Sequence, residues 1–516
     1  MKDILKNTNN NLFLTTSNTE LTNFAEEVFE LGELYPEIYR RIEVDQDVRG
    51  KLKKRLRKLD KLHAQGKTLD LPGFKNELGD VSIEELRLED GRPRMRPELV
   101  LLFMCLRGYW GSVTDRNVCD RMRDSRTLYV FFGNLNIKLP SPTTILENVN
   151  CLSQDTRDFI LKCQLEQIMQ TDLDDFSYIL LDSTAVKASS CWPTDAGVIH
   201  RLLNRAYTFG QRLEKFGIKS IPPFYFKDWM RELKELLFKI NNVKGTEACS
   251  KKKKLQKLYR DFLKTSHKAY EYLLRIFELR SVVVKGADFP PSVKLRLMQL
   301  HDNIENDLLA LSTVLYYSEE RIFNNVSLPS SEKILSLSDL TAAYIKKGQR
   351  NPVIGYKPQL CQSKNGFVSG MLLEQGNTSD SASLCPLTKT HTENTGVVPK
   401  FISADDGYSS GKGRKECLGL GVEDVCLSGA VGRKITPEAL WESEEYIAGR
   451  KKRSAIESLM FTLKYVFEFG GLRRRGIENV KGELTEKIIA YNFRRKLMLQ
   501  EDLQRKKEKQ RLKKTA

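Results

Sequence analysis

Two apolar runs that each end in an aspartate constrain the fold of this chain more than any other feature. The run YILLD ends at Asp182, and the run VPKFISAD ends at Asp405. Short continuous apolar runs predict strands that are buried on both faces, as in a parallel sheet. Two further runs, GFVSGMLLEQGN (366–377) and VEDVCLSG (422–429), also predict strands. Because helical patterns alternate with these runs, we expect an α/β domain.

The expected domain boundaries follow from changes in this pattern. Residues 1–20 are rich in Asn and Thr and are expected to be flexible. Residues 21–170 show helical patterns with several arginines, which suit DNA binding or dimerisation, although short helical bundles also serve as plain scaffolds. Residues 171–493 are expected to form the α/β core, interrupted at about 210–345 by a basic helical insertion. Residues 494–516 form a basic C-terminal tail.

The charge of the chain points to a polyanionic partner. The formal net charge is +17 over 516 residues, and the sequence pI is about 9.2. Nucleic acid is the simplest partner for such a protein. The alternative is a basic surface that only keeps the protein in solution.

Cysteine usage and hydropathy exclude several other classes. The ten cysteines occur singly, without a C-x-x-C pair, and only five histidines are present, so structural zinc is not expected. The N-terminal segment lacks the pattern of a secretory signal. The longest apolar run, LVLLFMCL (99–106), is too short to span a bilayer. We therefore expect a cytoplasmic protein that associates with the nucleoid and not with a membrane.

Asp182 and Asp405 are the first candidate site residues. In a parallel sheet, the carboxyl ends of the strands collect functional groups at one edge. The two aspartates are therefore expected to lie close together if their strands are neighbours. The alternative for either residue alone is a helix cap or a turn.

A third carboxylate lies in a helix predicted over residues 443–469. At about 100° per residue, Arg450, Arg453, Glu457 and Lys464 form one polar stripe beside an apolar stripe. Such a helix packs its apolar stripe on the sheet and leaves Glu457 at the sheet edge. The alternative is ordinary i,i+4 pairing of Arg453 with Glu457 on a solvated face.

Three carboxylates without histidine or thiolate partners favour hard cations, Mg²⁺ or Mn²⁺. On a basic protein, such a site suits phosphoryl transfer on nucleic acid, in which two ions about 3.5–4 Å apart assist the attacking and leaving oxygens. Arg450, Arg453 and Lys464 are then predicted to contact DNA phosphates. Trp441, just before the helix, is a candidate for stacking on a displaced base, although core packing is the ordinary role of such a residue.

The motifs around these residues resemble those of DDE transposases of bacterial insertion sequences. The D-x-T motif matches DST at Asp182, and D-x-G-[YF] matches DDGY at Asp405. The motif Y-x2-R-x3-E-x6-K matches at Arg453, Glu457 and Lys464, but Arg450 stands at the tyrosine position. The resemblance extends over three stretches of the chain, about 95–150, 178–208 and 350–495.

This resemblance implies an RNase H-like core: a mixed sheet with flanking helices, an N-terminal helical domain and a large helical insertion. It implies that Asp182, Asp405 and Glu457 are catalytic and hold two Mg²⁺ or Mn²⁺ ions. It also implies strand cleavage at the terminal inverted repeats of an element and strand transfer to target DNA, by a homodimer on double-stranded DNA without a small-molecule cofactor. Two alternatives are a metal-dependent nuclease without strand transfer and a non-catalytic DNA-binding protein derived from a transposase.

The register of the second motif separates its two aspartates. Counting back from Gly407 selects Asp405 as the functional residue. Asp406 is predicted to begin the turn that follows the strand, where aspartate is common. A further acidic residue, Asp380 in GNTSDS, is predicted to cap the next helix and not to bind metal.

Overall fold

A computed structural model describes most of the chain. The described residues are 19–65, 95–111, 114–125, 128, 140–188, 194–214, 226–243, 248–286, 289–326, 334–336, 339, 341–347 and 352–515. Almost all of the N-terminal segment that was expected to be flexible lies outside these residues. The chain divides into two compact units. The sheet unit comprises residues 1–49, 86–189 and 345–516, and the helical unit comprises residues 50–85 and 190–344.

Capping residues determine where several N-terminal helices begin. The hydroxyl groups of Thr114, Ser141 and Ser153 each accept a hydrogen bond from the backbone N–H three residues further on. The first helices are α1 (Thr19–Leu34), α2 (Glu37–Ala64), α3 (Pro97–Tyr109), α4 (Asp115–Asp124), α5 (Pro142–Asn150) and α6 (Gln154–Gln170).

The described part of the helical unit is built from four long helices around one apolar core. Buried side chains such as Phe226, Leu233 and Phe262 form this core. The run Lys251–Lys254 lies exposed on one of the helices. The helices are α7 (Asp195–Glu214), α8 (Phe226–Asn241), α9 (Ala248–Gly286) and α10 (Pro291–Glu319).

A five-stranded mixed sheet forms the centre of the sheet unit. Its strand order is β6-β5-β1-β7-β8. Strands β1, β7 and β8 run parallel, whereas β5 is antiparallel to both β1 and β6. The strands are β1 (Tyr178–Ser183), β2 (Val186–Lys187), β3 (Ala343–Ile345), β4 (Val353–Tyr356), β5 (Gln359–Ser363), β6 (Val368–Leu372), β7 (Phe401–Ala404) and β8 (Asp424–Leu427). The fold is therefore α/β, with a helical majority and a mixed sheet.

Helices connect and follow the last strands. They are α11 (Asp380–Thr395), α12 (Gly411–Gly419), α13 (Gly429–Ile435), α14 (Glu438–Trp441), α15 (Glu444–Lys452), α16 (Ala455–Tyr465) and α17 (Ile477–Thr515). No helix in the described ranges combines the length and the apolar character that crossing a bilayer requires.

The prediction of a single helix over 443–469 is wrong. Two helices, α15 and α16, meet at Arg453 and Ser454, and α16 ends at Tyr465. At the junction the backbone hydrogen bonds span three residues, for example from the N–H of Glu457 to the carbonyl of Ser454. This change of spacing interrupts the predicted polar stripe, so that Arg450 belongs to a different helix from Glu457.

A buried carboxylate fixes the last helix to the N-terminal helices. Glu486 on α17 accepts hydrogen bonds from Arg107, Arg157 and Arg474 at 2.8–3.1 Å. Burial alone would raise the pKa of Glu486, but the three guanidinium groups outweigh it and lower the pKa to about 2. Gly108 on α3 allows the close approach, because a β-carbon there would collide with the backbone carbonyl of Glu486.

Candidate active site

Asp182 and Asp405 lie side by side at one edge of the five-stranded sheet. Strands β1 and β7 are hydrogen-bonded neighbours, and Leu181 is in register with Ala404. The next residue on each strand is an aspartate, and both side chains therefore leave the same end of the parallel pair. The sheet below this edge is apolar, with Ile179 and Ile402 fully buried. The structure thus brings together two of the three predicted acidic residues.

Asp406 has a different role from Asp405. Its carboxylate accepts hydrogen bonds from the backbone N–H groups of Val431 and Gly432 in the first turn of α13. These bonds outweigh the effect of burial and lower the pKa of Asp406. Gly429 has a φ of +94°, and a β-carbon there would collide with the Asp406 carboxyl group. Asp406 therefore anchors α13, whereas Asp405 Oδ1 accepts a hydrogen bond from the backbone N–H of Gly407 at 3.0 Å and caps the short turn that follows the strand.

Asp380 is a third carboxylate at this edge, and the prediction that it caps its helix is wrong. The cap of α11 is Ser379, whose hydroxyl accepts from the N–H of Ala382. Asp380 instead pairs with Lys357 Nζ at 2.9 Å and accepts from Gln359 Nε2 at 2.8 Å. A methyl group built on Gly407 would lie 3.0 Å from Asp405 Oδ1 and 3.2 Å from Asp380 Oδ2.

The strand directions explain why Asp380 reaches this edge. Strand β6 is antiparallel to β5, which is antiparallel to β1, so β6 ends at the same edge as β1. Gln359 starts β5 at that edge, in register with Ser183 and Leu372. Asp182 and Asp405 were selected because functional groups collect where strands end at one edge of a sheet. The same reasoning would have selected Asp380 if the direction of β6 had been known.

The three aspartates interact electrostatically. Burial raises the pKa of Asp405, and the negative charges of Asp182 and Asp380 raise it further, while Lys347 and Arg453 oppose this. Tyr408 is fully buried, and burial together with the charges of all three aspartates raises its pKa well above the usual value. Its hydroxyl donates to Gln359, which in turn donates to Asp380. All three aspartates therefore lie near one buried tyrosine, in a region that is rich in carboxylates.

Two lysines lie within this region. Lys347 Nζ donates to Asp182 Oδ1 at 2.6 Å. Partial burial lowers the pKa of Lys464, and the nearby Lys347 lowers it further, while Asp182 raises it. Lys464 thus lies near Asp182, and its contact with a DNA phosphate stays a prediction. Lys347 was not among the predicted residues, because it belongs to no motif and reaches Asp182 only through the fold.

Glu457 is placed differently from the aspartates. Its side chain is 62% exposed and pairs with Arg453 Nη2 at 2.9 Å. The positive charge of Arg453 also lowers the pKa of Asp405, so Arg453 lies near both Glu457 and Asp405. The i,i+4 pair that the sequence offered as the ordinary alternative is present. The assignment of Glu457 as a metal ligand stays a prediction.

Arg450 and Trp441 contact each other. The Arg450 guanidinium lies 4.0 Å from the centroid of the Trp441 ring and donates to the Trp441 carbonyl at 3.0 Å. Tyr446 packs against the same indole, with ring centroids 5.4 Å apart. The ordinary role of Trp441 in packing is therefore satisfied. Phosphate contact by Arg450 and base stacking by Trp441 stay predictions.

Comparisons with known proteins find two transposase domains in this chain. A family model described as "Transposase DDE domain" matches residues 341–493, which include Asp405, Asp380 and Glu457. A second model, "Transposase domain (DUF772)", matches residues 50–151. These two domains are typical of transposases of bacterial insertion sequences, and they support a transposase function for this chain. No curated protein and no solved structure matches this chain.

Asp182 lies outside both matched ranges, but the sheet places it next to the range that contains Asp405. It stands on β1, between the two matched segments of the chain, yet its strand pairs directly with the strand that precedes Asp405. The D-x-T motif is therefore adjacent in space to the D-x-G-Y motif within the matched domain.

DDE transposases generally use divalent metal ions, and the residues of this edge suit such an ion. The donors are carboxylate oxygens, which hard cations prefer. Burial and the charges of the neighbouring carboxylates raise the pKa of Asp405, and a bound cation would favour its charged form. An ion that binds Asp182 at Oδ1 has to share or displace the Lys347 ammonium group.

The aspartates are more widely spaced than a compact ligand cluster. Within the described ranges, one group of three has all its ligand atoms within 4.8 Å of one another: His301, Asp302 and Glu305 on α10. This group is largely exposed, and the His301 ring stacks on Phe277 with 4.3 Å between the centroids. Neither Asp182, Asp405 and Asp380 nor Asp182, Asp405 and Glu457 form such a group.

Replacing Asp380 by asparagine is expected to lower DNA cleavage by about 10- to 100-fold, the usual effect of losing a partner that orients metal ligands. The neutral amide would no longer balance Lys357, and the chain of hydrogen bonds through Gln359 to Tyr408 would loosen. The measurement is the initial cleavage rate as a function of Mg²⁺ concentration.

Asp424→Asn is the matched control for this experiment. Asp424 is also a buried aspartate paired with a cation, Arg414, but it starts β8 at the opposite edge of the sheet. Equal losses in the Asp380 and Asp424 variants would show that Asp380 matters only for stability.

Proposed function

We propose that this transposase cleaves DNA strands at the ends of its insertion element and joins the freed ends to target DNA. The main support is the adjacency of Asp182 and Asp405 at the carboxyl ends of two paired parallel strands. Phosphoryl transfer depends on positioning and on charge stabilisation, and not on covalent chemistry by the protein. An edge that gathers carboxylates beside Lys347, Lys464 and Arg453 supplies both of these requirements.

Asp182, Asp405 and Glu457 are the residues that we assign to two Mg²⁺ or Mn²⁺ ions. Bound ions would supply Lewis-acid stabilisation of the attacking and leaving oxygens. Asp182 and Asp405 are presented by the rigid sheet, whereas Glu457 is presented by α16. To bind an ion, Glu457 has to leave its pair with Arg453, and this arginine then becomes available for a DNA phosphate.

The cationic side chains near the aspartates are proposed to hold the DNA backbone. Lys464 acts electrostatically on Asp182, and Arg453 acts on Asp405, so both lie where a scissile or flanking phosphate would approach. Arg450 is proposed as a more peripheral phosphate contact because its guanidinium lies over Trp441. Much of the affinity is expected to come from such contacts and to fall steeply with salt.

The order of the sheet supports an RNase H-like core. The central strand β1 has a parallel neighbour on one side and an antiparallel neighbour on the other. We further propose that the protein acts as a homodimer on double-stranded DNA, since two element ends have to be brought together. Its place of action would be the cytoplasm, at the nucleoid.

A paired-end assay tests the proposal. Linear DNA that carries both inverted repeats of the element is incubated with the protein, Mg²⁺ and a supercoiled target plasmid. Cleavage at the repeats together with joined plasmid products is the expected result. Cleavage without joining would identify a nuclease, and binding without cleavage would identify a non-catalytic DNA-binding protein. Either of these results would overturn the proposal.

A further inference from the structure

Two aromatic side chains lie exposed on the helix that carries Glu457. Phe461 is 63% exposed and Tyr465 is 70% exposed on α16. Their ring centroids are 4.6 Å apart, and the ring planes are inclined by 44°. Val466, at the end of the helix, is also exposed. Single exposed apolar residues are ordinary, but a contiguous aromatic group marks a contact surface.

The exposed pair is not part of the core of this helix. The opposite face of α16 is already buried through Ile456, Leu459, Met460 and Leu463. An amphipathic helix needs only one apolar face to pack on a domain. The second, aromatic face is therefore in excess of what the fold requires.

The surroundings of the pair indicate which partner it binds. Phe461 and Tyr465 stand one and two turns after Glu457, and Lys464 lies between them in sequence. Lys464 interacts with Asp182, and Glu457 is neutralised by its pair with Arg453, so this part of α16 borders the aspartates on a surface that a DNA strand can approach. A second copy of the chain, docked on this surface about a two-fold axis, would bring Lys464 of each copy toward the other and be opposed by repulsion.

We propose that Phe461 and Tyr465 form a stacking platform for an unpaired base of the DNA strand that enters the active site. The inference rests on the proposed function, because it places the platform beside the cleaved strand. Aromatic rings bind bases of any identity through their π-faces, and neighbouring cations hold the backbone. The sequence directs this role to Trp441, but Arg450 and Tyr446 pack against that ring. Phe461 and Tyr465 offer open ring surface instead.

The test compares DNA binding by Phe461→Ala and Tyr465→Ala with binding by the unaltered protein. Two probes are used without divalent ions: a blunt duplex of an element end, and the same duplex with unpaired nucleotides that include 2-aminopurine. Each substitution is expected to weaken binding of the unpaired probe by about ten- to a hundredfold and to leave the blunt duplex nearly unchanged. Stacking on the rings should also quench 2-aminopurine fluorescence, and the alanine variants should not quench it.

Three controls keep the outcome interpretable. Phe238→Ala removes an equally exposed aromatic residue, 71% accessible, from α8 and should bind both probes normally. Phe461→Leu keeps apolar surface without a π-face, so it should behave like the alanine variant. An abasic site at the unpaired position should weaken binding by the unaltered protein and remove the difference from the variants.

The proposal would be overturned if the alanine variants lost equal affinity for both probes, or if Phe461→Leu bound the unpaired probe as tightly as the unaltered protein. A change from dimer to monomer in Phe461→Ala without DNA, measured by light scattering, would assign the surface to a second copy of the chain and also overturn it. Because the assay measures binding and not cleavage, absence of cleavage by the unaltered protein would refute the proposed function without deciding on the platform.

Discussion

Asp405→Asn is expected to abolish Mg²⁺-dependent DNA cleavage while DNA binding persists. The loss should exceed about 100-fold, because substitutions that only disturb the partners of metal ligands already cost 10–100-fold. Asp405 lies beside Asp182 on the neighbouring strand, and the charges of Asp182 and Asp380 act on it. An amide in its place removes the negative charge that a divalent cation requires. Cleavage rates and DNA affinity, measured on the same element end, separate the two effects.

Asp406→Asn is the matched control, because it changes the adjacent residue in the same chemical way. The Oδ1 of Asp406 accepts from the backbone N–H groups of α13, and an asparagine oxygen can accept the same bonds. Cleavage should therefore remain close to that of the unaltered protein. If Asp406→Asn were inactive and Asp405→Asn active, the assignment of the two aspartates would be reversed.

Glu486→Ala is expected to destabilise the protein by about 3–5 kcal/mol, the usual cost of removing one partner from a buried ion pair. The substitution leaves Arg107, Arg157 and Arg474 close together without a carboxylate between them. It also removes the contact that fixes α17 to α3 and α6. The measurement is urea unfolding followed by circular dichroism. Glu478→Ala, an exposed position on the same helix, should change the unfolding free energy by less than about 0.5 kcal/mol.

The pH dependence of stability gives a second test of the Glu486 cluster. Its pKa is about 2 in the folded protein, against a usual value of 4.5. A depressed pKa means that this carboxylate stabilises the fold fully above pH 4.5, and that the contribution is lost as the pH falls toward about 2. Glu486→Gln should lack this part of the acid dependence. An unchanged acid profile in Glu486→Gln would show that the carboxylate does not carry the effect.

The parts of the site that the sequence predicts are those with local signals. Asp182 and Asp405 each follow an apolar run, and the length of such a run together with its terminal polar residue identifies a strand end. The cap at Thr114 is similarly local, because the hydroxyl and the N–H that it binds are three residues apart. Side chains and backbone groups so close in sequence meet in almost any fold that contains the element.

The parts that the sequence did not predict depend on distant contacts. Strand β5 is fully buried although it contains Gln359, Gln362 and Ser363, and partners such as Asp380 and Asp174 satisfy two of these side chains. Because three of its five residues are polar, a hydrophobicity pattern does not identify this segment as a buried strand. The break between α15 and α16 was missed for a related reason, since the helical pattern continues across Arg453 and Ser454 without proline or glycine.

By itself, the sequence indicated an α/β fold with an aspartate at the end of each of two strands, and its motifs resembled those of transposases, because motifs and apolar runs are encoded within short segments. Only the tertiary structure decided which groups meet those aspartates. Asp380 joins them because two antiparallel steps return β6 to the direction of β1. Lys347 reaches Asp182 across 165 positions of the chain. Such contacts depend on strand order and direction, which are set by the free energy of packing the whole sheet and not by any local pattern.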